Sequence, residues 1–156
     1  MDFQKPLLDF LSKNEILSLA TSDGKEVYVC NLHYSSDDSF NLYFASKPDR
    51  QHSKNIGANK EVAICVYNAA FAEGDAFGGI QMKGTCVNCS REESKVEIDK
   101  FYKKFPDKFG DEAKEMLSNL GYRVFYKFTP TRVKLIQPHS WEFPIEIHLP
   151  AQEAIL

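Results

Sequence analysis

Short runs of alternating apolar and polar positions, separated by turn residues, predict a chain built mainly of β-strands. Residues 16–21 are apolar and end at Ser22-Asp-Gly-Lys25, and Asp-Gly between two extended runs is a hairpin cue. Residues 26–34 are rich in β-branched and aromatic side chains and stop at the polar turn 35–39. In 40–46, Phe40, Leu42 and Phe44 alternate with Asn41, Tyr43 and Ala45; both faces are largely apolar, as in a strand covered on both sides. Further strands are expected at 62–67 and 80–89. Two more are expected at 122–128 and 131–137, joined by Thr129-Pro130, and a short one at 145–149.

Helices interrupt this pattern. Phe3, Leu7, Phe10 and Leu11 fall at helical spacing, with Asp2 as the expected cap and Pro6 in the first turn. A short helix-compatible stretch covers 50–58. Ser90-Arg-Glu-Glu93 is a capping box that opens a helix to about Phe105, closed by Pro106. A last helix is expected at 111–120, with Gly121 just past its end. Strands joined by turns too short for a crossover must pair antiparallel, and such a sheet removes its edges best by curling. The expected fold is mainly β (α+β): an antiparallel barrel with peripheral helices, in one domain over residues 1–156.

Composition narrows the function classes. With 12 Phe and 7 Tyr, the chain is too rich in aromatics for a disordered segment. A net charge of −3 argues against a nucleic-acid binder and against a polybasic membrane anchor. No run approaches the ~18 apolar residues of a membrane helix, and the N-terminus does not read as a signal peptide. A cytoplasmic protein with no nucleic-acid or membrane partner is the expectation. The cysteines at 30, 65, 86 and 89 then stay thiols. Cys86 and Cys89 form a C-x-x-C, but at a strand end residues three apart point to opposite faces, which favours incidental thiols over a metal or redox pair. No metal site is expected. The motifs G-x-S-x-G, H-E-x-x-H and G-x-x-x-x-G-K-[ST] are absent, and nothing singles out a catalytic acid or base.

One segment departs from the rest. Across 47–60, Lys47, Arg50, Lys54 and Lys60 face a single anion, Asp49, in a chain that is acidic overall. This run follows an apolar strand and leads into a short helix, whose first N–H groups are unpaired and carry partial positive charge. Arg supplies a planar fork, Lys a point charge, and Ser and His further donors. The chemistry suits one phosphomonoester dianion; the alternative is a solvated loop with ordinary surface charge.

The order of these runs carries a resemblance. Ile16-Leu-Ser-Leu-Ala-Thr-Ser-Asp-Gly24, Val27-Tyr-Val-Cys-Asn-Leu-His-Tyr34, Leu42-Tyr-Phe-Ala-Ser46, the basic turn, Lys54-Asn-Ile56 and Glu61-Val-Ala-Ile-Cys-Val-Tyr67 together resemble the pyridoxamine 5′-phosphate oxidase-like FMN-binding split-barrel superfamily. The resemblance spans roughly residues 5–137. It implies a six-stranded Greek-key split barrel with extra helices, assembled as a homodimer with FMN at the subunit interface. The matching positions for the isoalloxazine are Cys30, Asn31 and Leu32. Those for the phosphate are Ala45, Ser46, Arg50, Gln51, His52, Ser53 and Lys54. Gln81 and Lys83 match positions facing the ring or ribityl chain, and Trp141 is a candidate cap from the partner subunit, or a packing residue. Many superfamily members carry Lys where this chain has His52, and the Arg and His that bind substrate in the true oxidase are not evident here. The resemblance implies an FMN-dependent oxidoreductase acting on a small molecule or taking electrons from a nicotinamide donor. The alternatives are a non-catalytic flavin- or haem-binding sensor, and a structural dimer with an empty groove.

Overall fold

The computed structural model describes residues 3–108, 123–137 and 140–149. The elements are α1 (Gln4–Lys13), β1 (Ile16–Ser22), β2 (Val27–His33), β3 (Ser35–Ser36), β4 (Leu42–Ser46), α2 (Gln51–Ala58), β5 (Glu61–Tyr67), β6 (Gly79–Cys89), α3 (Arg91–Lys104), β7 (Val124–Gln137) and β8 (Ser140–His148). Asp2 and the helix expected at 111–120, with Gly121, lie outside the described residues. No helix among the described residues is long and apolar enough to cross a membrane.

All the strands form one antiparallel sheet in the order β2-β1-β5-β6-β7-β4-β3, with β8 joined to β7. It is a curled half-barrel. The Asp-Gly turn closes the β1–β2 hairpin as expected, with Gly24 at φ +95°. Alternation then sets the inside: Leu17 and Leu19 on β1, Val62, Ile64 and Val66 on β5, Ile80 and Met82 on β6, and Val133 and Leu135 on β7 form one buried core. β4 is covered on both sides, as its sequence requires. Leu42 and Phe44 join the main core, while Tyr43 packs into a second cluster with Phe125, with Ile98 and Phe101 of α3, and with Phe105 just past its end. The capping box at the start of α3 forms, with Ser90 accepting a hydrogen bond from the Glu93 backbone N–H.

Four expectations are corrected. The strands expected at 122–128 and 131–137 are one strand, β7, which runs through Pro130. It does so at a bulge, where Gly84 on β6 faces Pro130 and Thr131 is the extra residue. A proline has no N–H to lose from a bulged position, which is why the ladder survives it. The turn 35–39 contains a two-residue strand, β3, paired with β4. β4 begins at Leu42 and not at Phe40, because Phe40 has φ +64° in a turn whose Asp37 carboxylate accepts from Ser39 N, Asn41 N and Tyr43 Oη. α1 starts after Phe3 with no side-chain cap.

α1 is instead tied at its other end. Lys104 of α3 donates to Leu11 O and Asn14 O at 3.3 and 2.7 Å, and sits 4.3 Å over the Tyr34 ring. Burial pushes the Lys104 pKa down to about 8. Between pH 8 and the ordinary lysine value near 10.5, the unfolded chain therefore holds more protons than the folded one. Stability rises with pH across that window. Thermal melts of wild type against Lys104→Met should show wild type gaining relative to the variant from pH 7.5 to 10. A constant difference would mean the ammonium is not desolvated.

Candidate functional site

The basic turn folds into two layers. Its inner layer is polar and buried: Ser46, His52, Ser53 and Asn55 are each less than a tenth exposed. Ser46 Oγ and His52 Nε2 share a 2.6 Å hydrogen bond, Ser53 Oγ donates to Lys47 O, and Asn55 Nδ2 of α2 donates to Thr21 Oγ1 of β1. Tyr28 of β2 stacks on the His52 ring with centroids 6.4 Å apart. Burial, with Arg50 nearby, lowers the His52 pKa and keeps the imidazole neutral at pH 7. The outer layer is Arg50, Gln51 and Lys54, all exposed. α2 begins at this point without a side-chain cap and with no acidic residue in its first turn.

A second group of expected residues meets at the split in the barrel. β2 pairs with β1 alone, so its other backbone edge is free among the described residues. Beside that edge lies a pocket of about 140 Å³ that brings Asn31, Leu32 and Ala45 together with Phe101, Tyr102 and Arg123. The Arg123 Nε is buried and donates to no partner among the described residues. Cys30, like Leu32, packs against the main core, and burial pushes its thiol pKa up. Ser18 Oγ donates to Asn31 Oδ1 on the outer face.

Gln81 and Lys83 stand apart from both groups. They lie on the outer face of the sheet, beside Arg132 and Lys134. Within one chain the expected set is thus divided among a turn, a split and an outer face. Trp141 is on β8, and its side chain lies outside the described residues. Tyr28, Asn55 and Arg123 escaped the sequence reading; only the period-2 spacing of Tyr28 from Cys30 hinted that the two share a face. All four cysteines are free, Cys86 is buried with its thiol pKa pushed up, and no metal-binding group of three His, Cys, Asp or Glu occurs among the described residues.

A curled antiparallel half-barrel, split between β2 and β4 and flanked by an uncapped helix start, defines the split-barrel class. The chain belongs to the pyridoxamine 5′-phosphate oxidase family, whose profile matches residues 3–137. A UPF0306 protein of Campylobacter jejuni is 33% identical over 98 residues, covering 61% of this chain and 70% of the relative. Solved structures share the fold. General Stress Protein 26 from Bacillus anthracis superposes with a TM-score of 0.69 at 15% identity, covering 96% of this chain and 100% of that one. A haem storage protein from Vibrio cholerae gives 0.66 at 18%, covering 83% and 91%. An FAD-binding protein from Mesorhizobium loti gives 0.63 at 19%, covering 85% and 90%. At these identities the likeness is one of fold.

Proposed function

We propose that this chain is an FMN-binding oxidoreductase that works as a homodimer. The observation that carries the reading is the start of α2: uncapped first-turn N–H groups, flanked by exposed Arg50 and Lys54, above a buried polar layer. Its geometry and charge sign suit an anion, and a phosphomonoester in particular. The free edge of β2 offers alternating backbone donors and acceptors to the rim of a flat heterocycle, and the 140 Å³ pocket beside it supplies apolar walls. A bound FMN would supply hydride or electron transfer, and the chain's part would be anchoring, orientation and hydrogen bonding. The relatives named above include an FAD binder and a haem storage protein, which supports a planar redox or metal-bearing ligand without choosing between them.

The dimer has its own support. The outer face of β1, β2 and β5 leaves Val27 87%, Val29 65%, Tyr67 54% and Ile16 42% exposed. Large apolar side chains exposed on one face favour an association surface. A second copy seated there would also let one cofactor touch the turn of one subunit and the outer-face residues Gln81 and Lys83 of the other. Val29→Glu places a charge in the middle of that face without touching the core. It should elute as a monomer in size-exclusion chromatography and keep its far-UV spectrum. A dimer surviving the change would move the interface elsewhere.

Titration of flavin-free protein with FMN, followed by flavin fluorescence, tests the main proposal. Saturable binding well tighter than that of riboflavin is expected, because the phosphate is the anchored group. Equal affinity for the two ligands would remove the turn from the site. A Soret band in place of flavin absorption would favour the haem-binding alternative.

A further inference from the structure

On the outer face of the sheet, β6, β7 and β8 arrange charge in a way the fold alone does not explain. A pocket of about 220 Å³ is lined by Gln81, Lys83, Arg132, Lys134 and Glu146. Register fixes who meets whom. Lys83 is directly opposite Arg132, and Gln81 is directly opposite Lys134. Across the next ladder, Lys134 is opposite Glu146, and Arg132 is opposite His148. The bulge at Lys83 and Gly84 holds this register, and Thr131 Oγ1 donates to Lys83 O. Opposed like charges on neighbouring strands cost stability. Glu146 is the single carboxylate lining the pocket, and it is already paired with Arg132. Three cations therefore meet one anion, a local balance of +2 in a chain of net charge −3.

We infer that this pocket is an anion site that takes the phosphate or carboxylate group of a small-molecule ligand. Three convergent cations in a concavity of this size outnumber what one carboxylate neutralises, and an incoming anion relieves the Lys83–Arg132 repulsion. Gln81 and Lys83 are also the residues the family resemblance assigns to the ring or ribityl chain. The inference does not depend on that assignment, and it holds whether or not the α2 turn grips FMN. The pocket is separate from that turn and lies beyond the apolar half of the same face. In the proposed dimer it would flank the cofactor and select substrates with a negative group.

The test is isothermal titration with pyrophosphate and, separately, citrate. It is made on the Arg50→Ala/Lys54→Ala background, so that the α2 turn cannot take the probe. One saturable site is expected to remain, and Lys83→Gln/Lys134→Gln should weaken it at least about 10-fold. The tighter probe identifies the preferred anion. The added pair should leave the melting temperature equal or slightly higher, since it removes a repulsion. Absence of binding in the background protein, binding unaffected by the added pair, or a response reproduced by KCl at matched ionic strength would each overturn the inference. So would a clear loss of stability in Lys83→Gln/Lys134→Gln, which would make the cations structural. Failure of the flavin reading leaves these measurements untouched, because they use no flavin.

Discussion

Gly84→Ala should be a severely damaging single methyl group. A Cβ at that position would stand 2.1 Å from Thr129 O and 2.8 Å from Pro130 Cα. Both are backbone atoms of the paired strand, so no side chain can swing aside. β6 and β7 are laddered from Gly79–Ile136 to Cys89–Phe125, and the clash sits in the middle of that ladder. To admit the methyl group the two central strands must separate at the bulge, with loss of hydrogen bonds on both sides. The cost should be at least about 3 kcal/mol, at the upper end for overpacking. For a chain of this length that lowers the melting temperature by about 10 °C. Gly57→Ala is the matched control. It lies in α2, a Cβ there meets nothing within 4 Å, and helix propensity predicts a small gain in stability, up to about 1 kcal/mol. Equal melting temperatures for Gly84→Ala and wild type would show that the strands can slide apart at the bulge.

Arg50→Ala together with Lys54→Ala should abolish most FMN affinity while sparing the fold. The two side chains are exposed and contribute little to stability, so the flavin-free melting temperature should move by no more than about 1–2 °C. Each hydrogen bond from a cation to a phosphate is worth about 1.5–3 kcal/mol. Taking the low end for solvent-facing groups, the pair amounts to about 3 kcal/mol, or about 100-fold in Kd. Riboflavin lacks the phosphate, so its binding should not change. That contrast separates loss of an anchor from general damage to the groove. FMN binding within threefold of wild type would put the phosphate somewhere other than the turn.

The strands and the capping box were legible because they depend on local pattern. Asp23-Gly24 marked its hairpin and Ser90 its helix, each through contacts within a few residues. Pro130 misled, since a proline reads as a stop unless the partner strand is known to carry a glycine opposite it. The same limit shaped the site. The surplus of cations in 47–60 was visible in composition, and Arg50 and Lys54 are exposed as a ligand anchor needs. That His52 and Asn55 turn inward was not visible, because they meet Tyr28 and, 34 positions away in the chain from Asn55, Thr21. Arg132 and Lys134 joined Lys83 only through strand register, which the sequence does not print.

β7 imposes an order on assembly. It hydrogen-bonds to β6 along one side and to both β4 and β8 along the other. Until it arrives, β4 has only the two residues of β3 beside it, and the apolar run of Leu42, Tyr43 and Phe44 has an open flank. During synthesis β2, β1, β5 and β6 can zip together, but β4 and β3 must wait for a keystone made after them. Closing the arch joins segments far apart in the chain, which makes folding slow and leaves β4 the sticky surface that a truncated or stalled chain would present to its neighbours.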